Sequence, residues 1–77
     1  MEVDKELEKK ICRWLLFAHE HADNPWRVWA RLGTMGLKRR DVDSYLLKKG
    51  YNPFERGAYT KFVRENFSYV IEMANDP

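Results

Sequence analysis

The sequence predicts an all-α fold, a single compact bundle of three to five helices. Its length of 77 residues suits one domain. Hydrophobic residues make up 44% of the chain and aromatic residues 14%, a composition that predicts a packed core and argues against disorder. Apolar residues recur at spacings of three and four, the period of a helix. No segment shows strand alternation bounded by hairpin turns. We therefore expect residues 1–77 to form one helical domain.

The first helix is predicted over about residues 3–22. Asp4 suits its N-cap, and acidic residues crowd the first turn, where the helix dipole favours them. One apolar face is formed by Leu7, Ile11, Trp14, Leu15 and Ala18. Leu16 and Phe17 widen this face, which predicts neighbours on more than one side.

The second helix is predicted over about residues 25–33. In "DNPWRVW", Asn24 suits the N-cap and Pro25 the first helical position, which needs no backbone donor. Gly33 and Gly36 are predicted to end it. One face is formed by Val28, Trp29 and Leu32, so Trp29 is predicted to lie in the core.

Trp26 is predicted to lie near the surface, beside Pro25 and Arg27. An exposed tryptophan next to an arginine is a frequent anchor in protein interfaces. The other interpretation, which we prefer, is that Trp26 covers the end of the first helix.

The third helix is predicted over about residues 38–49, with Val42, Tyr45 and Leu46 facing inward. Lys48 and Lys49 lie in its last turn, where cations suit the dipole. Gly50 fits the left-handed position after the helix, and Tyr51 is expected to fold back onto Leu46.

The fourth helix is predicted over about residues 53–74, opened by a second Asn-Pro pair. Asn52 is expected to cap it with Glu55 reaching back, and Gly57 is a candidate interruption after a first short turn. Its apolar pattern is carried by Tyr59, Phe62, Val63, Phe67, Val70 and Met73.

Charge is distributed unevenly along the chain. Residues 27–64 carry ten cations and three anions, a net of +7, while residues 1–23 and 65–77 are net acidic. The run "KRR" lies at the start of a predicted helix, where cations oppose the dipole, so local stability does not explain it. The predicted binding residues are Lys38, Arg39, Arg40, Arg27, Arg31, Lys48, Lys49 and Trp26.

The sequence offers no catalytic or cofactor-binding constellation. It has no Gly-rich phosphate loop, nucleophile elbow or HExxH motif. Cys12 is the one cysteine and lacks the paired ligands of a zinc site, so it is predicted to be a buried structural residue, with His19 and His21 on the surface. We expect no metal, no cofactor and no enzymatic activity.

Residues 28–51, "VWARLGTMGLKRRDVDSYLLKKGY", resemble a helix-turn-helix motif. The matching features are "RLG" before the turn and Val42 and Leu46 as inward residues of its second helix. The resemblance implies DNA contact through residues 38–49. The connection "GTMGLK" is longer than the turn usual in that family.

A second resemblance links Trp29, "GLKRRDVDSYLL" and "NPFERGAYTKFV" to the WY module of oomycete effectors. In that family a tryptophan packs against a tyrosine of a later helix, and Tyr59 is the counterpart here. The resemblance covers about half the chain and implies a non-enzymatic module that binds a host protein.

We therefore expect a small interaction protein, a regulator or inhibitor of phage or pathogen type. Its predicted partner is a macromolecule with an anionic surface, a protein in preference to nucleic acid. The single cysteine and the absence of an apolar run of about 20 residues predict a cytoplasmic protein that does not span a membrane, in the host cytoplasm if it is viral or an effector. Monomer and homodimer both remain open.

Overall fold

The computed structural model describes residues 4–77. Within them the chain forms five helices, and four of these contact a central one. In chain order these are α1 (Lys5–Glu20), α2 (Pro25–Thr34), α3 (Arg39–Lys48), α4 (Ala58–Glu65) and α5 (Phe67–Asn75). α1 contacts each of the other four helices, and α5 most extensively. The predicted all-α bundle is confirmed.

The start of α1 is fixed by its N-cap. The Asp4 carboxylate accepts a hydrogen bond from the Glu6 backbone N–H at 3.0 Å, as predicted. Val3, where the predicted range begins, lies outside the described residues. α1 ends at Glu20, two residues before the predicted end.

α2 begins as predicted and ends later. The Asn24 side chain caps it by accepting from the backbone N–H three residues on. The helix passes through Gly33, and the glycine that stops it is Gly36, whose φ is +73°. Beyond that turn, the Leu37 N–H donates to the Leu32 carbonyl at 3.1 Å, which closes the helix end.

α3 follows its predicted range closely. The Asp41 carboxylate accepts from the Lys38 backbone N–H at 2.9 Å and so satisfies one of the free donors at the helix start. At the other end, Gly50 has a φ of +86° and the Tyr51 N–H donates to the Leu46 carbonyl at 2.9 Å. The predicted glycine stop and the return of Tyr51 are confirmed.

The predicted single helix over residues 53–74 is wrong at its start. Asn52 does act as a cap, but of a turn: its side chain accepts from the Phe54 N–H at 3.0 Å, and no α-helix follows at once. The helix starts only after Gly57, which adopts a left-handed φ of +75°, so the predicted interruption at this glycine is confirmed.

The same prediction is wrong a second time at Asn66, where α4 ends and α5 begins. Asn66 leaves helical geometry with a φ of −126°. Its side-chain amide donates to the Phe62 carbonyl at 2.9 Å and to the Tyr51 hydroxyl at 3.0 Å. Asparagine competes for backbone partners in this way, and here a tertiary contact holds the break in place.

The core is centred on Trp14 of α1, which is fully buried and donates its indole N–H to the Val28 carbonyl at 2.9 Å. Trp29, predicted to be a core residue, is 39% exposed. Val28 and Leu32 take the side of α2 that faces the core, and Trp29 is turned one residue, about 100°, away from Val28. Around Trp14 the other fully buried large residues include Ile11, Leu15, Val42, Leu46, Phe62 and Val70.

Side chains of α1 also hold the end of α5. The Lys9 ammonium lies 3.3 Å from the Asp76 carboxylate, and the Arg13 guanidinium donates to the Ala74 carbonyl at 3.0 Å. Arg13 thereby satisfies one of the carbonyls that the last turn of a helix leaves free.

Across residues 4–77, none of the five helices has both the length and the apolar character required to cross a lipid bilayer.

Candidate interaction surface

The predicted binding cations do not form one patch in the folded protein. Arg27 and Arg31 lie over Phe17 of α1, Arg39 lies over Trp29 of α2, and Lys49 lies beside a buried carboxylate. Each group therefore has to be considered by itself.

Arg27 and Arg31 share one side of α2, as their spacing predicts. Their guanidinium carbons lie 5.7 and 5.3 Å from the centre of the Phe17 ring, within cation–π distance. The His21 ring packs on the same phenylalanine at 4.3 Å. These two arginines therefore help to attach α2 to α1.

Lys49 belongs to a buried polar cluster. Its ammonium lies 3.6 Å from Glu8 and over the rings of Tyr45 and Tyr69, at 5.4 and 5.1 Å. Burial by itself would raise the pKa of the Glu8 carboxyl. Hydrogen bonds from Tyr69 and Tyr45, together with Lys49, outweigh burial and hold that pKa below its ordinary value. Glu8 is thus a buried carboxylate, and folding accounts for Lys49.

Lys38, Arg40 and Lys48 are exposed, and none of them pairs with a carboxylate within residues 4–77. Arg40 and Lys48 share the solvent side of α3 with Ser44 and Leu47, at helical spacing. We call these four residues the α3 stripe. It is only moderately basic, and Leu47 interrupts its polar character.

Arg39, another of the predicted binding residues, also lies beside aromatic rings. Its guanidinium carbon is 5.0 Å from the Trp29 ring, and its Nε lies 3.8 Å from the Asp43 carboxylate. The Tyr59 hydroxyl donates to the same carboxylate. Burial and this hydrogen bond raise the pKa of the Tyr59 phenol to about 12. Asp43 therefore holds both Arg39 and Tyr59 in position.

Three aromatic rings meet beside Arg39. The Trp14 ring lies 5.6 Å from Trp29 and 5.5 Å from Tyr59, and Trp29 lies 6.3 Å from Tyr59. These separations are in the favourable range for tilted and edge-to-face pairs. Two of the rings, Trp29 and Tyr59, reach the surface, whereas Trp14 lies beneath them.

Two adjacent pockets open on this surface. The indole pocket, about 150 Å³, is largely apolar and is lined by residues that include Trp14, Ala18, His19, Ala22, Trp29 and Tyr59. The Arg39 pocket, about 410 Å³, is more polar, and its lining includes Arg39, Phe54, Glu55, Arg56 and Tyr59. Tyr59 and Thr60 line both pockets, so the two are neighbours.

We call Trp29, Arg39, Phe54, Arg56 and Tyr59 together the Trp29 surface. Phe54 is 74% exposed, an unusual position for a phenylalanine in a small folded domain. Arg56 is exposed and pairs with no carboxylate in the described part of the chain. The surface thus presents apolar rings and cations side by side, the combination found at anchor positions of protein interfaces.

Sequence reasoning missed Phe54 and Arg56 because it placed both inside a helix. The interruption predicted at Gly57 was the signal, because it leaves both residues in a short turn, and glycine with Asn-Pro ahead is typical of a turn. Turns expose their side chains, so an aromatic residue and an arginine there were available as contact residues.

Trp26 is exposed, as predicted, and more fully than any other large apolar residue described, at 84%. The preferred interpretation, that Trp26 covers the end of α1, is therefore wrong. Trp26 lies three residues before Trp29 and extends the apolar surface along α2.

Cys12 is buried, as predicted, with its sulfur 3.7 Å from the Tyr45 hydroxyl. The predicted surface position of His19 is wrong for its ring: Nδ1 is buried without a hydrogen-bond partner in the described residues, and the residue lines the indole pocket. Within residues 4–77 there is no group of three or more His, Cys, Asp and Glu side chains able to hold a metal ion.

Comparison of this chain with protein-family models, curated proteins and solved structures found no match. The likeness to a WY module and the likeness to a helix-turn-helix motif both remain predictions.

Proposed function

We propose that this protein is a small, non-catalytic interaction protein that binds an acidic surface of a partner protein through the Trp29 surface. The observation that carries the proposal is the position of Arg39, whose guanidinium carbon lies 5.0 Å from the Trp29 ring and which lines one of the two neighbouring pockets. Regulation or inhibition of the partner is the kind of activity that such a protein performs by binding alone.

Charge and exposure support a protein partner at this surface. Arg39 keeps 62% of its side chain exposed although Asp43 lies nearby, and Arg56 is exposed in the turn before α4. Phe54 and Trp29 supply aromatic contact area, which dominates the energetics of protein interfaces. The setting that we propose is cytoplasmic, which agrees with a free, buried Cys12.

The test is affinity capture with two charge-reversed variants. Arg56→Glu reverses a charge on the Trp29 surface, and Lys48→Glu reverses one on the α3 stripe as a matched control. We expect a partner captured by the wild-type protein to be lost with Arg56→Glu, with affinity reduced about tenfold or more, and retained with Lys48→Glu. Equal capture by Arg56→Glu and the wild type would contradict the proposal.

A second candidate function, nucleic-acid binding, has its own supporting observation. Arg40 and Lys48 of the α3 stripe, with Lys38 at the helix start, are cations that form no ion pair within residues 4–77. The connection from α2 to α3 is four residues, Met35 to Lys38, shorter than the sequence predicts and within the range of a helix-turn-helix.

A titration with generic duplex DNA separates the two candidates. Binding through the α3 stripe would weaken steeply with salt, and Lys48→Glu would reduce the slope by about one or more, because each phosphate contact releases counterions. Arg56→Glu would then serve as the control. Absence of binding at about 10 mM salt would rule out this function.

A further inference from the structure

The indole pocket is a preformed site for one apolar side chain. Trp14 forms its floor and is fixed by the hydrogen bond from its indole N–H to the Val28 carbonyl. Tyr59 is held by Asp43, and Trp29 is covered on one face by Arg39. Rings fixed in this way lose little freedom on binding, which favours affinity.

The size of the pocket selects the occupant. A closed apolar cavity of about 150 Å³ accepts one benzene molecule, so a pocket of about 150 Å³ matches one phenyl or branched aliphatic side chain. The open side of the pocket leaves room for the backbone that carries such a side chain.

The positive charges beside the indole pocket favour acidic residues next to that side chain in the bound segment. The Arg39 pocket adjoins the indole pocket at Tyr59 and Thr60, and it carries two cations, Arg39 and Arg56, against one lining carboxylate, Glu55. Asp43 also pairs with Arg39 but is largely buried. A segment that fills the indole pocket therefore meets a net positive surface at its next residues.

We propose that the indole pocket receives a phenylalanine or leucine side chain from an acidic segment of the partner protein, whose carboxylates bind Arg39 and Arg56. This inference rests on the proposed function and adds to it the chemistry of the partner. Charge complementarity identifies the occupant. An apolar side chain alone would leave Arg56, and the exposed part of Arg39, without an anionic group from the partner.

The test uses three synthetic peptides that carry the same glutamate residues and differ only in a central phenylalanine, leucine or serine. Binding is followed by ¹H–¹⁵N NMR titration of the whole protein. We expect the phenylalanine and leucine peptides to shift the amide resonances of Ala22, Trp29 and Thr60, and to bind about tenfold or more tightly than the serine peptide.

Two variants that replace an alanine by leucine test whether the peptide binds in the indole pocket. Ala22→Leu narrows the pocket from the exposed turn before α2, and Ala30→Leu adds the same volume on an exposed position of α2 that does not line the pocket. We expect Ala22→Leu to weaken the phenylalanine peptide about tenfold and Ala30→Leu to leave it unchanged. Unchanged binding by Ala22→Leu would overturn the inference.

The outcomes separate this inference from the proposed function. One result would reject the indole pocket as the anchor site and still support peptide binding by the Trp29 surface. In that result, Arg56→Glu weakens binding of all three peptides equally, and the serine peptide binds as tightly as the phenylalanine peptide. No shift with any peptide up to about 1 mM also rejects the pocket. The partner-capture experiment above still decides the proposed function in that case.

A second copy of this chain is the competing occupant, since Trp26 and Phe54 are exposed. Sedimentation of the free protein tests for it. A monomer that binds the acidic peptides agrees with the inference, whereas a dimer that Ala22→Leu dissociates would overturn it.

Discussion

The Tyr45 hydroxyl donates a 2.7 Å hydrogen bond to the buried carboxylate of Glu8, and so joins α3 to α1 through the core. The same oxygen of Glu8 accepts from the Tyr69 hydroxyl of α5, also at 2.7 Å. A buried charge is costly unless it is paired and hydrogen-bonded, and here two phenols and the Lys49 ammonium supply that compensation.

Loss of the Tyr45 hydroxyl should therefore destabilise the fold. We expect Tyr45→Phe to lower the free energy of unfolding by about 2 kcal/mol, the range for a hydrogen bond to a charged group. Tyr69→Phe should cost about 1 kcal/mol or less, since Tyr69 is partly exposed and water can replace its hydroxyl. Urea denaturation measures both, and equal stability of Tyr45→Phe and wild type would contradict the structure.

Stability should fall in acid partly through Glu8. Because the folded-state pKa of this carboxyl lies below its ordinary value of 4.5, its contribution is complete above about pH 5 and is lost as pH falls through the folded pKa. We expect Glu8→Gln to be less stable than wild type near pH 7, and the difference to narrow between about pH 5 and pH 3. A constant difference across that range, measured by denaturation, would refute this assignment.

Two glycines give opposite expectations for substitution by alanine. Gly57 has a φ of +75°, so Gly57→Ala should cost about 1 to 2 kcal/mol. Gly33 lies inside α2 with open space around its Cα, so Gly33→Ala should stabilise by about 0.5 to 1 kcal/mol. Thermal melting of both variants provides the measurement, and a destabilised Gly33→Ala would show that the helix does not pass through this residue.

Removing the Arg39 side chain should alter the environment of Trp29. We expect Arg39→Ala to lower stability by about 0.5 to 1 kcal/mol, the usual size of an exposed cation–π contact, and to change the tryptophan fluorescence. Arg40→Ala, one residue along and on the solvent side of α3, is the matched control and should change neither property. Identical spectra for Arg39→Ala and wild type would place Arg39 away from the indole.

Local signals predicted much of the fold. Asp4, Asn24 and Gly50 act through their nearest neighbours in the chain, so their roles are readable from the sequence. Asn52 carries the same cap signal as Asn24, yet it closes a turn. The difference lies in Gly57, which adopts a left-handed conformation five residues later.

The candidate site was less predictable because it depends on contacts between distant residues. Asn66 interrupts a strongly periodic segment through a hydrogen bond to Tyr51, fifteen positions away. Trp29 reaches the surface because Val28 and Leu32 take the side of α2 that faces the core. The separation of several basic residues has the same origin, since Arg27 and Arg31 contact Phe17, Arg39 contacts Trp29, and Lys49 contacts Tyr45 and Tyr69.

The extensive contact between α1 and α5 has a consequence for synthesis on the ribosome. Ile11 and Leu15 are buried in the finished protein, and Val70 of α5 lies in the same core. α5 follows α1 by more than 40 residues, so the contact between them forms only after α5 has been synthesised. Until then the apolar side of α1 is open to chaperones and to other nascent chains, which makes late closure the step most exposed to aggregation.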